Sequence, residues 1–172
     1  MGQDFLSKTS DAEKAILGGS LIVLVALFLP WYGWDISATF AGVTIASSSG
    51  SVDGFASWGW LTFLALLAVV FLWTARRFLT QQVRMPEMGV SDAALIMILG
   101  AVEVAGAVIF WLAYHSGVAN LANEGVKFGA FVAIVGGALT IFGGYLMQDA
   151  TAGARSPGAL TPPDAPSGTP IA

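Results

Sequence analysis

The stretch Phe128–Gln148, FGAFVAIVGGALTIFGGYLMQ, runs for 21 residues without a charge. As a helix rising 1.5 Å per residue it would be about 31 Å long, which matches the ~30 Å hydrocarbon core of a bilayer. Three more runs of that kind precede it: Ala15–Trp31, Ser57–Ala75 and Ala93–Tyr114, the last broken only by Glu103. Of the whole chain 56% is hydrophobic and 10% charged. A chain of 172 residues cannot enclose four such helices on every side, so their excess apolar surface is expected to face lipid.

The expected fold is therefore an all-α membrane protein, a four-transmembrane-helix bundle over residues 1–148 with helices at about 15–31, 57–75, 93–114 and 128–148. Ser10 with Glu13 forms the pattern of a capping box that starts the first helix, and Pro30 is expected to end it. Its flank carries Asp4, Asp11 and Glu13 and no small-residue cleavage pattern follows, so it reads as a retained span and not a signal peptide.

Lysine and arginine set the orientation, because positively charged short loops resist translocation. Lys8, Lys14, Arg76, Arg77, Arg84 and Arg155 fall on one side and Lys127 alone on the other. This predicts a multi-pass plasma-membrane protein with both termini cytoplasmic and with loops 32–56 and 115–127 external. Tryptophan and tyrosine favour the headgroup level, and Trp31, Tyr32, Trp34, Trp58, Trp60, Trp111 and Tyr114 all map to the outer boundary. They read either as an interfacial belt or as an external aromatic platform for a lipid, glycan or partner protein.

The first external loop alternates polar and apolar residues over 36–40 and 43–47 about Ala41-Gly42, which predicts a β-hairpin. Pairing Phe40 with Val43 and Ala38 with Ile45 puts apolar residues on one face, with Thr39–Thr44 and Ser37–Ala46 on the other. A lone hairpin is marginal in water, so that face is expected to rest on the helix-end tryptophans or on a further strand. Residues 47–54 (SSSGSVDG) read as a flexible return, and the Pro, Gly, Ser and Ala-rich segment 149–172 as a disordered cytoplasmic tail. Pro163 and Pro166 there satisfy a PxxP spacing, read as part of that solvated tail.

In lipid, helices associate through small residues that allow close backbone approach. Gly129, Ala133, Gly136, Gly137, Thr140 and Gly144 make one small stripe on the fourth helix. It is expected to be the bundle seam, with Gly129, Ala133, Gly137 and Gly144 also a candidate contact with a membrane-protein partner or a second copy. The second helix, rich in Leu, Phe and Val, is expected to be the most lipid-exposed.

Glu103 stands in mid-span, where a charge is costly and usually functional. The ten Leu, Ile, Val and Phe residues of 95–112 supply about −3 to −6 kcal/mol on the insertion scale, enough to offset roughly 3 for one acid. With Gly100, Gly106 and Ala107 around it, the carboxyl is expected to face the bundle and to donate a hydrogen bond to Thr140 or Ser20. That bond either fixes helix register or belongs to a proton- or cation-binding site.

The chain has no cysteine and one histidine, and its net charge is −4, which excludes thiol chemistry and gives no field to gather nucleic acid. It offers no nucleophile with a base, no metal-ligand set, no phosphate loop and no intramembrane carboxylate pair, so neither an enzyme nor a cofactor is expected. Asp35, Asp53 and Glu124 share the external side but read as solvated acids and not as a calcium site.

LPWYGWD at 29–35 and FASWGWLTFL at 55–64 resemble the small uncharacterised four-span membrane proteins of actinobacteria and related bacteria, over roughly residues 15–75. The resemblance implies a bacterial membrane protein and no activity. The order helix, external hairpin, three helices is similar to the claudin and tetraspan-like layout in topology only, since the paired cysteines of claudins are absent. Two functions follow as expectations. One is a membrane scaffold or accessory protein whose external aromatic loop binds a partner or lipid. The other is a small oligomeric transporter or ion-coupling protein using Glu103.

Overall fold

The computed structural model describes residues 9–79, 90–118 and 124–154, with backbone alone at 79, 115–118, 124 and 151–154. In chain order the elements are α1 (Asp11–Leu27), β1 (Pro30–Phe40), β2 (Val43–Asp53), α2 (Gly59–Thr74) with a π turn over Ala75–Leu79, α3 (Asp92–Val118), β3 (Glu124–Val126) and α4 (Phe128–Ala154). Three stretches, Gly59–Phe78, Asp92–Tyr114 and Phe128–Ala150, are long and apolar enough to cross a membrane. The helices pack side by side, and a three-stranded antiparallel sheet of order β2-β1-β3 caps one end.

The capping box forms as expected: Ser10 Oγ accepts from Glu13 N at 3.2 Å, and Glu13 Oε2 accepts from Ser10 N at 2.9 Å. α1, however, ends at Leu27 and not at Trp31. Its last carbonyls are taken by groups from outside the helix, Ala26 O by the Trp31 indole at 2.7 Å and Leu27 O by Gly54 N at 3.0 Å. Leu29 is also driven out of helical geometry by the proline ring that follows.

The hairpin is longer than its sequence signal. Ala41 (φ 51°) and Gly42 (φ 80°) are both left-handed, as a two-residue type I′ turn requires. Phe40↔Val43 and Thr39↔Thr44 pair as expected, but Ala38 then faces Ala46 and Ser37 faces Ser47, because Ile45 is an extra bulged residue. A compensating shift between Pro30 and Tyr32 makes Trp31 the extra residue on β1. A bulge re-aims side chains, and here Trp31 and Tyr32 in succession are buried. Residues 47–53, expected to be a flexible return, form the second half of β2 against β1. Their serines lack hydrophobic alternation, so ladder bonds and not a side-chain pattern make this strand.

The third strand comes from the stretch expected to be an external loop. α3 continues to Val118, and β3 then pairs with β1 through Tyr32↔Val126, Gly33↔Gly125 and Trp34↔Glu124. At the other end α4 continues to Ala154, so 149–154 is helical where a tail was expected, as suits its alanine-rich composition. The remainder of that tail, 155–172, lies outside the described residues, as do Lys8 and Arg84.

Small residues set the packing. α4 lies between α1 and α3 and presents a different glycine to each. A methyl group at Gly136 would meet Val23 and the Gly19 carbonyl of α1, and one at Gly143 would meet Ile16 and Ala12. One at Gly137 or Gly144 would instead meet Val104, Glu103, Met97 and Ala93 of α3. The expected single stripe is thus two seams. α2 makes its main contacts with α3 and touches α1 only marginally.

The outward faces are apolar along every helix. Leu21, Leu24 and Val25 of α1 with Phe28 just beyond it, Trp60, Leu64, Leu67 and Phe71 of α2, Ile98, Ala101, Ala105, Ile109 and Leu112 of α3, and Phe128, Phe131, Val135, Ala138, Phe142 and Tyr145 of α4 are exposed, mostly at three- and four-residue spacings.

Candidate functional site

Two groups of residues stand out, one inside the bundle and one on the sheet. Inside, each helix contributes a buried polar side chain: Ser20 from α1, Thr62 from α2, Glu103 from α3 and Thr140 from α4. Close backbone approach brings them in. Gly106 leaves no room for a side chain against Thr62, and the Thr62 hydroxyl donates to the Glu103 carbonyl at 3.1 Å. Gly19 abuts Thr140 in the same way across the α1–α4 seam.

The Glu103 side chain is directed at α4, where its Cβ would lie 3.2 Å from a methyl group at Gly137. Thr140 stands beside the carboxyl. The Thr140 hydroxyl engages the Glu103 carboxyl, as expected, and also donates along its own helix to Gly136 O at 3.2 Å. Ser20 Oγ is buried with no hydrogen-bond partner among the described residues, which costs about 1–3 kcal/mol. Thr62 was not a sequence candidate; the only signal for it is an uncharged hydroxyl in an apolar run, which α2 could equally have turned outward.

The platform candidates Trp31, Tyr32, Trp34, Trp58, Trp60 and Trp111 do not share one surface. Trp31 and Tyr32 are buried in the main core, Trp31 edge-on to Phe110 with centroids 5.1 Å apart and Tyr32 against Tyr114 at 5.3 Å. Trp34 is half-buried and lies flat on Gly50 of β2, which has no side chain to hold it off. Trp58, Trp60 and Trp111 are exposed, Trp60 packing edge-on against Phe55 and Phe63. The first three anchor the sheet to the helices, and the last three remain at the surface around its base.

What the sheet exposes is its far end. Phe40 is 73% exposed, Val43 65% and Ile45 67%, so the apolar face of the hairpin projects freely and does not rest on the tryptophans as expected. β2 is also an edge strand, with no neighbour among the described residues along its outer side. Its sequence, VTIASSSGSVD, carries no charge before Asp53 and no proline, the usual devices that blunt an exposed edge.

Of the three acids expected on the external side, Asp35 stands opposite Ser49 and Asp53 opposite Pro30 at the other end of that pairing, and Asp53 accepts from Phe55 N at 3.0 Å. Among the described residues no three acidic or histidine side chains converge as a metal site would need. The seam residues Gly129, Ala133, Gly137 and Gly144 are all buried within the chain, Gly129 against Trp31 and Leu29, Ala133 in the main core, and Gly137 and Gly144 against α3. The chain matches no protein-family model and no curated protein.

Proposed function

We propose that the chain is a four-span, non-enzymatic membrane scaffold or accessory protein whose external sheet docks a partner protein. The observation that carries this is the hairpin end, where an uncharged edge strand and three exposed apolar side chains sit on a base fixed by Trp31 and Tyr32. A sheet edge recruits a partner strand through main-chain hydrogen bonds, and adjacent apolar side chains supply the selectivity. The apolar outward stripes of the four helices support the membrane reading, since solvent-exposed patches of that extent are not tolerated in water. α1 serves as the fourth span although its helix is short, its apolar path continued by Phe28 and Leu29 into the sheet. Lys14, Arg76 and Arg77 support a reading in which the end opposite the sheet is cytoplasmic and the sheet lies outside a bacterial plasma membrane.

The test is a photo-crosslinking amino acid at position 43, on the apolar face, compared with one at Leu67 on the lipid side of α2. Position 43 should yield one discrete protein adduct that Ile45→Asp abolishes, and position 67 should yield lipid adducts only. The same adduct pattern from both positions overturns the docking role.

A second reading, ion coupling, is favoured by one observation, the fully buried carboxyl of Glu103 within a polar layer drawn from all four helices. Its test is given below.

A further inference from the structure

At the end of the bundle opposite the sheet, the four helices leave a cleft of about 170 Å³. Its apolar depth is formed by Ile16, Leu72, Ile96 and Met147, and its rim by Glu13, Arg76, Arg77 and Asp92, with Trp73 in the wall. The π turn after α2 puts two consecutive arginines on this rim. Such turns recur where a helix is locally reshaped for binding.

The two ion pairs on the rim are unlike. Arg76 Nη2 and Asp92 Oδ1 are 2.6 Å apart, a closed charge-assisted hydrogen bond. Arg77 Nη1 and Glu13 Oε1 are 3.6 Å apart, beyond hydrogen-bond reach. Glu13 is not free to close the gap, because its other oxygen is held in the capping box by Ser10 N. The pair is therefore held open by the start of α1. The indole N–H of Trp73 is buried without an acceptor among the described residues. The cleft thus has an apolar depth, an unfilled cation–anion pair at its mouth and an idle donor in its wall. Its formal charge is balanced, two arginines against two acids, so a purely anionic ligand gains nothing from the sum.

A ligand that completes this arrangement carries a cation and an anion a few ångströms apart on an apolar stem. We propose that the cleft seats the headgroup of a zwitterionic phospholipid with a primary ammonium, of the phosphatidylethanolamine type. The ammonium lies on Glu13, the phosphate bridges Arg77 and, as the rim adjusts, the Trp73 indole N–H, and the first carbons of the lipid follow Ile16, Leu72 and Ile96. A primary ammonium donates hydrogen bonds to the carboxylate that a choline headgroup cannot. Arg76–Asp92 is the fixed wall that positions the π turn. The inference rests on the membrane reading above, with this end at the inner headgroup level.

The protein is reconstituted with equal amounts of dioleoyl phosphatidylethanolamine, phosphatidylcholine and phosphatidylglycerol, re-extracted in mild detergent and weighed by native mass spectrometry. One phosphatidylethanolamine should stay on each chain, enriched about fivefold or more over either competitor. Glu13→Gln retains the capping box, since glutamine serves there as well, and should erase the preference, as should Arg77→Gln. Lys127→Gln at the sheet end should leave it intact. Retention of phosphatidylglycerol equal to that of phosphatidylethanolamine, or unchanged selectivity in Glu13→Gln, overturns the site. Flotation with liposomes after carbonate washing separates the two readings. A chain that floats but selects no lipid loses the headgroup site alone, whereas one that fails to float loses the membrane placement as well.

Discussion

Gly18 and Gly19 are neighbours in a run of small residues, yet only one of them is irreplaceable. A methyl group at Gly19 would lie 2.7 Å from both Gly136 O and Thr140 Oγ1 and 2.8 Å from Thr140 N, whereas at Gly18 the nearest atom is Leu139 Cδ2 at 3.9 Å. Backbone atoms of a packed helix cannot step aside singly, so Gly19→Ala forces α1 off α4. It should cost about 1–3 kcal/mol in reversible unfolding from detergent, with Gly18→Ala within about 0.5. Equal loss from the two would mean that the α1–α4 seam does not run through Gly19. Glu103 is decided at the same scale. Glu103→Gln keeps a donor and an acceptor in the polar layer but removes the titratable group. Under the scaffold reading the variant should assemble normally and docking should be unchanged. Under ion coupling, proton or cation flux in proteoliposomes should vanish while folding survives. Wild-type flux no greater than that of empty liposomes ends the ion-coupling reading.

At the scale of elements, the turn of the hairpin holds a correctable defect. Ala41 adopts φ 51°, where a Cβ is disfavoured and asparagine is tolerated. Ala41→Asn should slow amide exchange over 36–47 roughly two- to fivefold, equivalent to 0.5–1 kcal/mol. Unchanged exchange would show that this segment opens without unfolding the turn. The hairpin also marks how far the sequence was readable. Ala41-Gly42 and the alternation beside it were legible because a turn and its first pairs are local. The bulge at Ile45, the serine half of β2 and the third strand were not, since each depends on a partner distant in the chain. The capping box of α1 was legible for the same local reason, and the early end of α1 was not, because Gly54 and Trp31 claim its last carbonyls. In the candidate site, Glu103 announced itself as a lone charge in an apolar run and Thr140 as part of the small stripe. Thr62 depends on which way α2 is turned. The aromatic residues were visible as a group, but only the bulge at Trp31 divides buried anchors from surface rings.

For the molecule as a whole, the orientation can be tested with two single cysteines, because the chain has none of its own. Ser48 lies on β2 in the exposed sheet, and Ser91 caps the start of α3 at the opposite end, its hydroxyl accepting from Ala94 N at 3.2 Å. In intact cells an impermeant maleimide should label Ser48→Cys and spare Ser91→Cys. Labelling of both to the same extent would remove the outside placement of the sheet, and with it the docking role.

The pairing of α1 with α4, the most extensive helix contact among the described residues, joins helices about a hundred residues apart in the chain. During synthesis α1 must therefore wait, with Ser20 and Gly19 uncovered, until some hundred residues later its partner emerges. β1 waits likewise for β3. Biogenesis thus has a built-in completeness check: a nascent chain that stops before β3 leaves both an unclaimed helix and an unfinished sheet, the kind of product that quality-control proteases remove.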